Sequence, residues 1–321
     1  MAKTGKIGAW GKTDRETGAT HALAHHSADV AAVFLGLLAQ PVWRRRAEAA
    51  AGRELRLVDL ARLGALVFLH DIGKLSPAFQ AKGWPNGLWQ GATQNHLEAG
   101  WHWSDSLECR ETTALDGVVP DLVAWMDDED WLSMLFAHHG RPVKQPGPSR
   151  SWDILDHYDW IGEERHMGVM LRAWFPVAFK EGPPLPISQR FRHFFGGALA
   201  LADWVGSDRD AFPFEAATGG DYWGRAQARA AVRLRDIGLD VQARGITRSV
   251  AFTLLTGCAA PSVAQAGPRP CWPFPDRLLL GQRLGSACRT GGCAGTMTLG
   301  PSRQGVGRRN MLHVIWRRRW E

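Results

Sequence analysis

The chain has 321 residues, 45% of them hydrophobic, enough apolar material for one large domain or two ordinary ones. It contains no uninterrupted apolar run of about 18 residues, and its N-terminus, MAKTGKIGAWGKTDRETG, lacks the apolar stretch of a signal peptide, so a cytoplasmic protein without a membrane partner is expected. The net charge of +6 is unevenly placed: from Arg244 onward 12 Arg stand against two acids, a net of +10, which leaves −4 for residues 1–243.

The first periodic segment is HALAHHSADVAAVF, where Val30, Val33, Phe34, Leu37 and Leu38 recur at helical spacing. His26 and Asp29, one turn apart, are expected on one face with Val30 and Phe34, which makes His26 a candidate ligand. The plainer reading of His21, His25 and His26 is polar residues at a helix start. A second helix, marked by Leu60, Leu63, Leu66, Val67 and Phe68–Leu69, runs into FLHDIGKLSPAFQ. It would carry His70 and Asp71 into the interior, where an unpaired carboxylate is costly unless a cation or hydrogen bonds compensate. Gly73 is expected to let the chain turn away, and Ser76–Pro77 reads as an N-cap followed by proline at the first position of a helix through Phe79.

Further along, His96 in QNHLEAGW has no distinctive spacing. Helices are expected around Leu122–Met126, Trp131–Ala137, Glu164–Phe175, Ile187–Val205 and Tyr222–Leu234. Ala137-His138-His139-Gly140 sets paired imidazoles at a helix end stopped by glycine. Asp203, in FFGGALALADWVGSD, falls beside the stripe of Phe195, Leu199 and Ala202 and needs a partner; a salt bridge to Arg192 or Arg209 is the plainer choice. Strand-like alternation is scarce, and 140–151 and 181–186 read as loops. Residues 1–243 therefore read as an all-α domain.

Residues 244–321 change character, with Arg, Gly, Pro and Cys following no sustained period. Four of the five cysteines lie here (Cys258, Cys271, Cys288, Cys293), without CxxC pairing, which argues against a zinc ribbon or a disulfide framework. A disordered basic tail, an ordered extension clamped to something else, and translation out of the original frame all fit an irregular basic tail. The third is favoured, because missing Lys, few acids and abundant Arg, Gly, Cys and Trp are what a misread GC-rich gene yields.

Taken together, His, His-Asp, His, His-His and Asp stand in the ligand order of the HD metal-dependent phosphohydrolases. Residues 21–210 resemble more closely the HD nuclease domain of the type I CRISPR-associated nuclease-helicase. HALAHHSADVAAV is similar to that family's opening. FLHDIGKLSPAFQ is similar to its central motif, including the Lys and the Ser-Pro-x-Phe-Gln extension, and AHHG and LADWVGSD resemble its later motifs. The resemblance implies an HD-domain helical bundle in which His26, His70, Asp71 and Asp203 hold one metal, and Asp71 bridges to a second held by His96, His138 and His139. Such ligands suit divalent Mn, Fe, Co or Ni better than Mg. Two ions would activate water against phosphorus and stabilise the leaving oxygen. Lys74 would neutralise a non-bridging phosphate oxygen, with Ser207 and Asp208 supporting the ligands from behind.

The implied substrate is single-stranded DNA, and the implied partner is a CRISPR surveillance complex with its guide RNA. Because residues 1–243 carry no basic excess, binding would use a narrow groove, with Trp84, Trp89, Trp101 and Trp103 as candidates to stack on bases; core aromatics are their plainer reading. No G-x-x-x-x-G-K-[ST] loop occurs, so no ATP site is expected in this chain and a helicase would be a separate subunit. Two alternatives stay open: an HD phosphohydrolase acting on nucleotides or cyclic nucleotides, and an inactive recruitment module whose tail binds nucleic acid by charge.

Overall fold

The computed structural model describes residues 6–141, 143, 152–216 and 220–240. The expectations for 244–321, and for most of the 140–151 loop, lie outside the described residues. The order begins with an antiparallel hairpin that the sparse alternation did not announce, β1 (Trp10–Thr13) and β2 (Thr20–Ala22). Lys12 lies opposite His21 and Thr13 opposite Thr20, with a register shift between Trp10 and Lys12. Ten helices follow among the described residues: α1 (Leu23–Ala39), α2 (Pro41–Ala51), α3 (Leu57–Phe68), α4 (Pro77–Gln80), α5 (His96–Ser106), α6 (Val119–Met126), α7 (Asp130–Leu135), α8 (Trp160–Trp174), α9 (Gln189–Gly206) and α10 (Tyr222–Asp236). Short 3₁₀ turns, including Ile72–Leu75, join them, and apart from the hairpin the described residues form the helical bundle expected. None of the helices among the described residues is long and apolar enough to cross a membrane.

α1 is the central rod, buried at every position from Leu23 to Phe34. Its neighbours close on it through small residues: a methyl added at Gly206 of α9 would lie 3.0 Å from the Val30 backbone, and one at Gly36 would lie 2.7 Å from Leu234 of α10. α3 starts where Asp59 accepts the Arg56 amide at 2.7 Å and pairs with Arg53. Arg62, on its buried face, donates to the carbonyls of Ala178, Lys180, Gly182 and Pro183 and so pins the 181–186 loop. The apolar surface of α3 seeks the core, and the chain beyond its end has to follow.

Two local expectations change. α7 stops at Leu135, before the two histidines, which occupy the turn ahead of Gly140, whose φ of 82° suits glycine. Gly73 does not supply a left-handed turn. A Cβ there would lie 2.0 Å from the His96 carbonyl oxygen and 2.4 Å from the Gly100 amide nitrogen, so glycine is required because α5 packs directly against it.

Candidate metal centre

Five segments deliver seven side chains to one place. His26 comes from the first turn of α1, His70 and Asp71 from the turn after α3, and His96 from the first turn of α5. His138 and His139 follow α7, and Asp203 comes from the last turn of α9. The atoms fall into two groups, His26, His70, Asp71 and Asp203, and His96, His138 and His139, and in each group the candidate ligand atoms lie within 4.8 Å of one another. Atoms bound to one ion at about 2.0–2.2 Å can be no more than about 4.4 Å apart, so either group reaches a common centre with movements of a few tenths of an ångström.

Asp71 divides its carboxylate between the groups. Its Oδ2 lies 3.1 Å from His26 Nε2 and 3.3 Å from His70 Nε2, whereas Oδ1 lies 3.3 Å from His96 Nε2 and 3.6 Å from His138 Nε2. Asp203 Oδ1 stands 3.6 Å from His26 and 3.7 Å from His70, and its Oδ2 is 3.9 Å from His139. These contacts are close without being hydrogen bonds: Nε2 of His26, His70, His96 and His138, and Asp71 Oδ1, are buried polar atoms with no hydrogen-bond partner. Buried polar atoms are normally satisfied. A convergent set of lone pairs that is not satisfied suits a cation. The rings are also aimed from behind. His70 Nδ1 lies 2.8 Å from the Val67 carbonyl and His138 Nδ1 2.8 Å from the Leu135 carbonyl. A carbonyl only accepts, so each Nδ1 carries the hydrogen and Nε2 faces the centre.

Charge and burial pull these groups apart. Burial, reinforced by the ammonium groups of Lys74 and Lys12, lowers His26 to about 4. Burial likewise holds His96 at about 3 and, helped by the charge on His70, His138 at about 4. His70 goes the other way: burial opposes its proton, but the adjacent Asp71 and Asp203 raise it to about 9. Asp71 and Asp203 resist burial and stay far below the usual carboxylate range, Asp71 through Lys74 and His70, Asp203 through His26 and His70. The centre opens on one side, since His139 is 51% exposed and Asp203 16%, whereas His26, His70 and His138 are fully enclosed.

A family model described as Cas3, HD domain, matches residues 10–212. The chain belongs to that family. It is 32% identical over 215 residues to the CRISPR-associated endonuclease/helicase Cas3 of Thermus thermophilus, covering 60% of this chain and 22% of the relative, so it spans about a fifth of that protein. A crystal structure of a CRISPR-associated protein superposes with a TM-score of 0.53 at 21% identity, over 72% of this chain and 27% of that one, which shows a shared fold. The Thermus thermophilus Cas3 HD domain, crystallised in the presence of Ni²⁺, aligns at 26% identity with a TM-score of 0.48, covering 72% and 90% of the two chains.

The remaining candidates are sorted by the partners they find in the fold. Ser207 Oγ donates to Asp203 Oδ1 at 3.3 Å. Asp208 does not join: its carboxylate pairs with Arg233 of α10. Arg192 pairs with Asp128 and Asp130, and Arg209 with Asp14, so neither serves Asp203. Lys74 is buried, with Nζ 2.5 Å from Asp71 Oδ2 and donating to the Gly11 carbonyl at 3.0 Å. It is thus already engaged by protein rather than held out toward solvent. Trp84, Trp101 and Trp103 are core residues, and Trp103 donates to Glu164 at 2.5 Å; Trp89 packs on Trp84 at 6.3 Å.

Asp29 also parts from His26. It accepts from Tyr222 Oη at 2.9 Å and from His21 Nε2 at 2.8 Å, while the Glu215 amide donates to His21 Nδ1 at 3.0 Å. His25 stacks on Tyr222 at 3.6 Å. These contacts tie α10 to the rod that carries His26. Sequence spacing also missed Gln80, wholly buried, which joins β1 to the Lys74 segment, and Lys12 on β1. Only the pairing of the hairpin with the core reveals them.

Proposed function

We propose that residues 1–243 form a metal-dependent HD nuclease that hydrolyses phosphodiester bonds of single-stranded DNA in type I CRISPR interference, together with a guide-RNA surveillance complex and a helicase supplied separately. What carries this reading is the division of Asp71: one oxygen toward His26 and His70, the other toward His96 and His138, the arrangement a carboxylate shared by two ions needs. His26, His70, Asp71 and Asp203 would hold one ion, and Asp71, His96, His138 and His139 the other. The mixed imidazole and carboxylate donors favour Mn²⁺, Fe²⁺, Co²⁺ or Ni²⁺. When bound, the ions supply an activated water and stabilise the charge on the departing oxygen.

The chain's own residues do the rest. Carbonyl partners keep the Nε2 lone pairs of His70 and His138 pointed inward. Lys74 keeps Asp71 ionised and oriented, and Ser207 steadies Asp203. The open side at His139 and Asp203 is where an extended strand would enter. With the full chain loaded with Mn²⁺ or Co²⁺, circular single-stranded DNA is expected to be cut, and Asp71→Ala to abolish cutting while the circular dichroism spectrum stays helical. Hydrolysis of nucleotides beside intact DNA would instead make it a nucleotide phosphohydrolase. DNA binding untouched by Asp71→Ala, with no cleavage under any metal, would make it a recruitment module.

A further inference from the structure

Two lysines border the cluster, and they differ in what they have left to offer. Lys74 spends its ammonium on Asp71 and the Gly11 carbonyl. Lys12, the next residue along β1, is half-buried, and its ammonium has neither an ion pair nor a hydrogen bond among the described residues. Its amide follows the Gly11 carbonyl that receives Lys74 Nζ at 3.0 Å, and Gly11 itself packs on His26, so β1 carries Lys12 alongside the group of His26, His70, Asp71 and Asp203. Burial lowers its pKa and Lys74 adds to that, while Asp203 and Asp71 oppose it.

β1 cannot swing away to give this ammonium to solvent. A Cβ on Gly11 would lie 2.8 Å from the His26 side chain, and Gln80 holds both the amide (3.0 Å) and the carbonyl (2.8 Å) of Trp10. A partly desolvated ammonium without an acceptor gains from any anion that arrives. Residues 1–243 carry −4, so an approaching polyanion needs a local cation at this point.

We propose that Lys12 is the substrate-binding lysine of this centre: its ammonium takes a non-bridging oxygen of the phosphate to be cleaved, while Lys74 is the positioning residue that holds Asp71. The assignment rests on the phosphodiester reading above and moves the phosphate contact from the HD motif to the N-terminal hairpin.

The test uses the full chain, wild type, Lys12→Met and Lys12→Arg. A fluorescein-labelled single-stranded oligonucleotide is bound by anisotropy without metal and cleaved with Mn²⁺, alongside metal stoichiometry and melting midpoint. Losing one charge-assisted hydrogen bond is expected to weaken binding and raise KM roughly 10- to 100-fold, and to reduce the steepness of log affinity against log salt by about 0.7. Arginine at position 12 restores most of the affinity, and metal content and melting stay at wild-type values in both variants. Wild-type affinity and salt slope in Lys12→Met would overturn the proposal. So would a loss of bound metal or a lowered melting midpoint that accounts for the defect. If the wild type spares DNA but hydrolyses nucleotides, the polymer reading fails, and Lys12 is then judged by the nucleotide KM, which Lys12→Met must still raise.

Discussion

Replacing Gln80 by leucine is expected to destabilise the metal-free domain by about 3 kcal/mol, since each net intramolecular hydrogen bond contributes roughly 1 kcal/mol and this side chain makes three. Its Oε1 accepts the Trp10 amide at 3.0 Å, and its Nε2 donates to the Trp10 carbonyl and the Lys74 carbonyl, both at 2.8 Å. The residue is fully buried, so leucine strands three backbone groups that water reaches only if β1 lifts off. For a domain of this size, the loss corresponds to a melting shift of about 6–12 °C. Gln80→Glu is expected to be worse, because it keeps the bond from the Trp10 amide but sets a carboxylate against two carbonyl oxygens. Urea unfolding of wild type, Gln80→Leu and Gln80→Glu after chelation measures both. A Gln80→Leu midpoint equivalent to less than about 0.5 kcal/mol, the size of an ordinary surface change, would refute the clamp, and so would a glutamate variant more stable than the leucine one.

Gly73→Ala is expected to drive α5 back, because backbone atoms at 2.0 and 2.4 Å cannot yield cheaply. Bound metal should fall from two ions to one as His96 withdraws, at a cost of about 1–3 kcal/mol or more in stability; elemental analysis and denaturation check both, and unchanged values would contradict the packing argument. For pH, His25, His26, His96 and His138 have native pKa values of about 3–4 against 6.5 in the unfolded chain. The unfolded state alone takes up those protons as pH falls below 6.5, and each adds about 1.4 kcal/mol per pH unit to the loss of stability. His70, raised to about 9, contributes stability below 6.5 that is lost between 6.5 and 9. Urea midpoints of the chelated protein should therefore peak near pH 6.5 and fall more steeply on the acid side; a flat profile from 6.5 to 5 would rule out buried neutral imidazoles.

The sequence by itself marked most of the helices, though not α2 or α5, and the types of the candidate ligands. Periodic apolar residues in α1 and α3 forced His26, His70 and Asp71 inward, since a helix that buries its stripe carries its polar neighbours and the chain at its end with it. The resemblance to HD nucleases names seven candidate ligands, and in the structure these residues lie in two close groups, with Asp71 in the first. What stayed hidden depends on approach between segments far apart in the chain. The hairpin has only a few residues in each strand, too short for period 2 to stand out, and Lys12 gains its place only when β1 packs on His26. Asp29 turned from His26 to His21 and Tyr222 because the partner 193 residues away lies on the adjacent side of the rod. The Ser-Pro-x-Phe-Gln extension looked like an appendage to the metal motif; folding makes its glutamine the fastener between that motif and the N-terminal strand. Sequence specifies which groups a segment brings, and only tertiary packing decides which of them are left with unsatisfied lone pairs or an unpaired charge, and those are the groups available to a metal or a substrate.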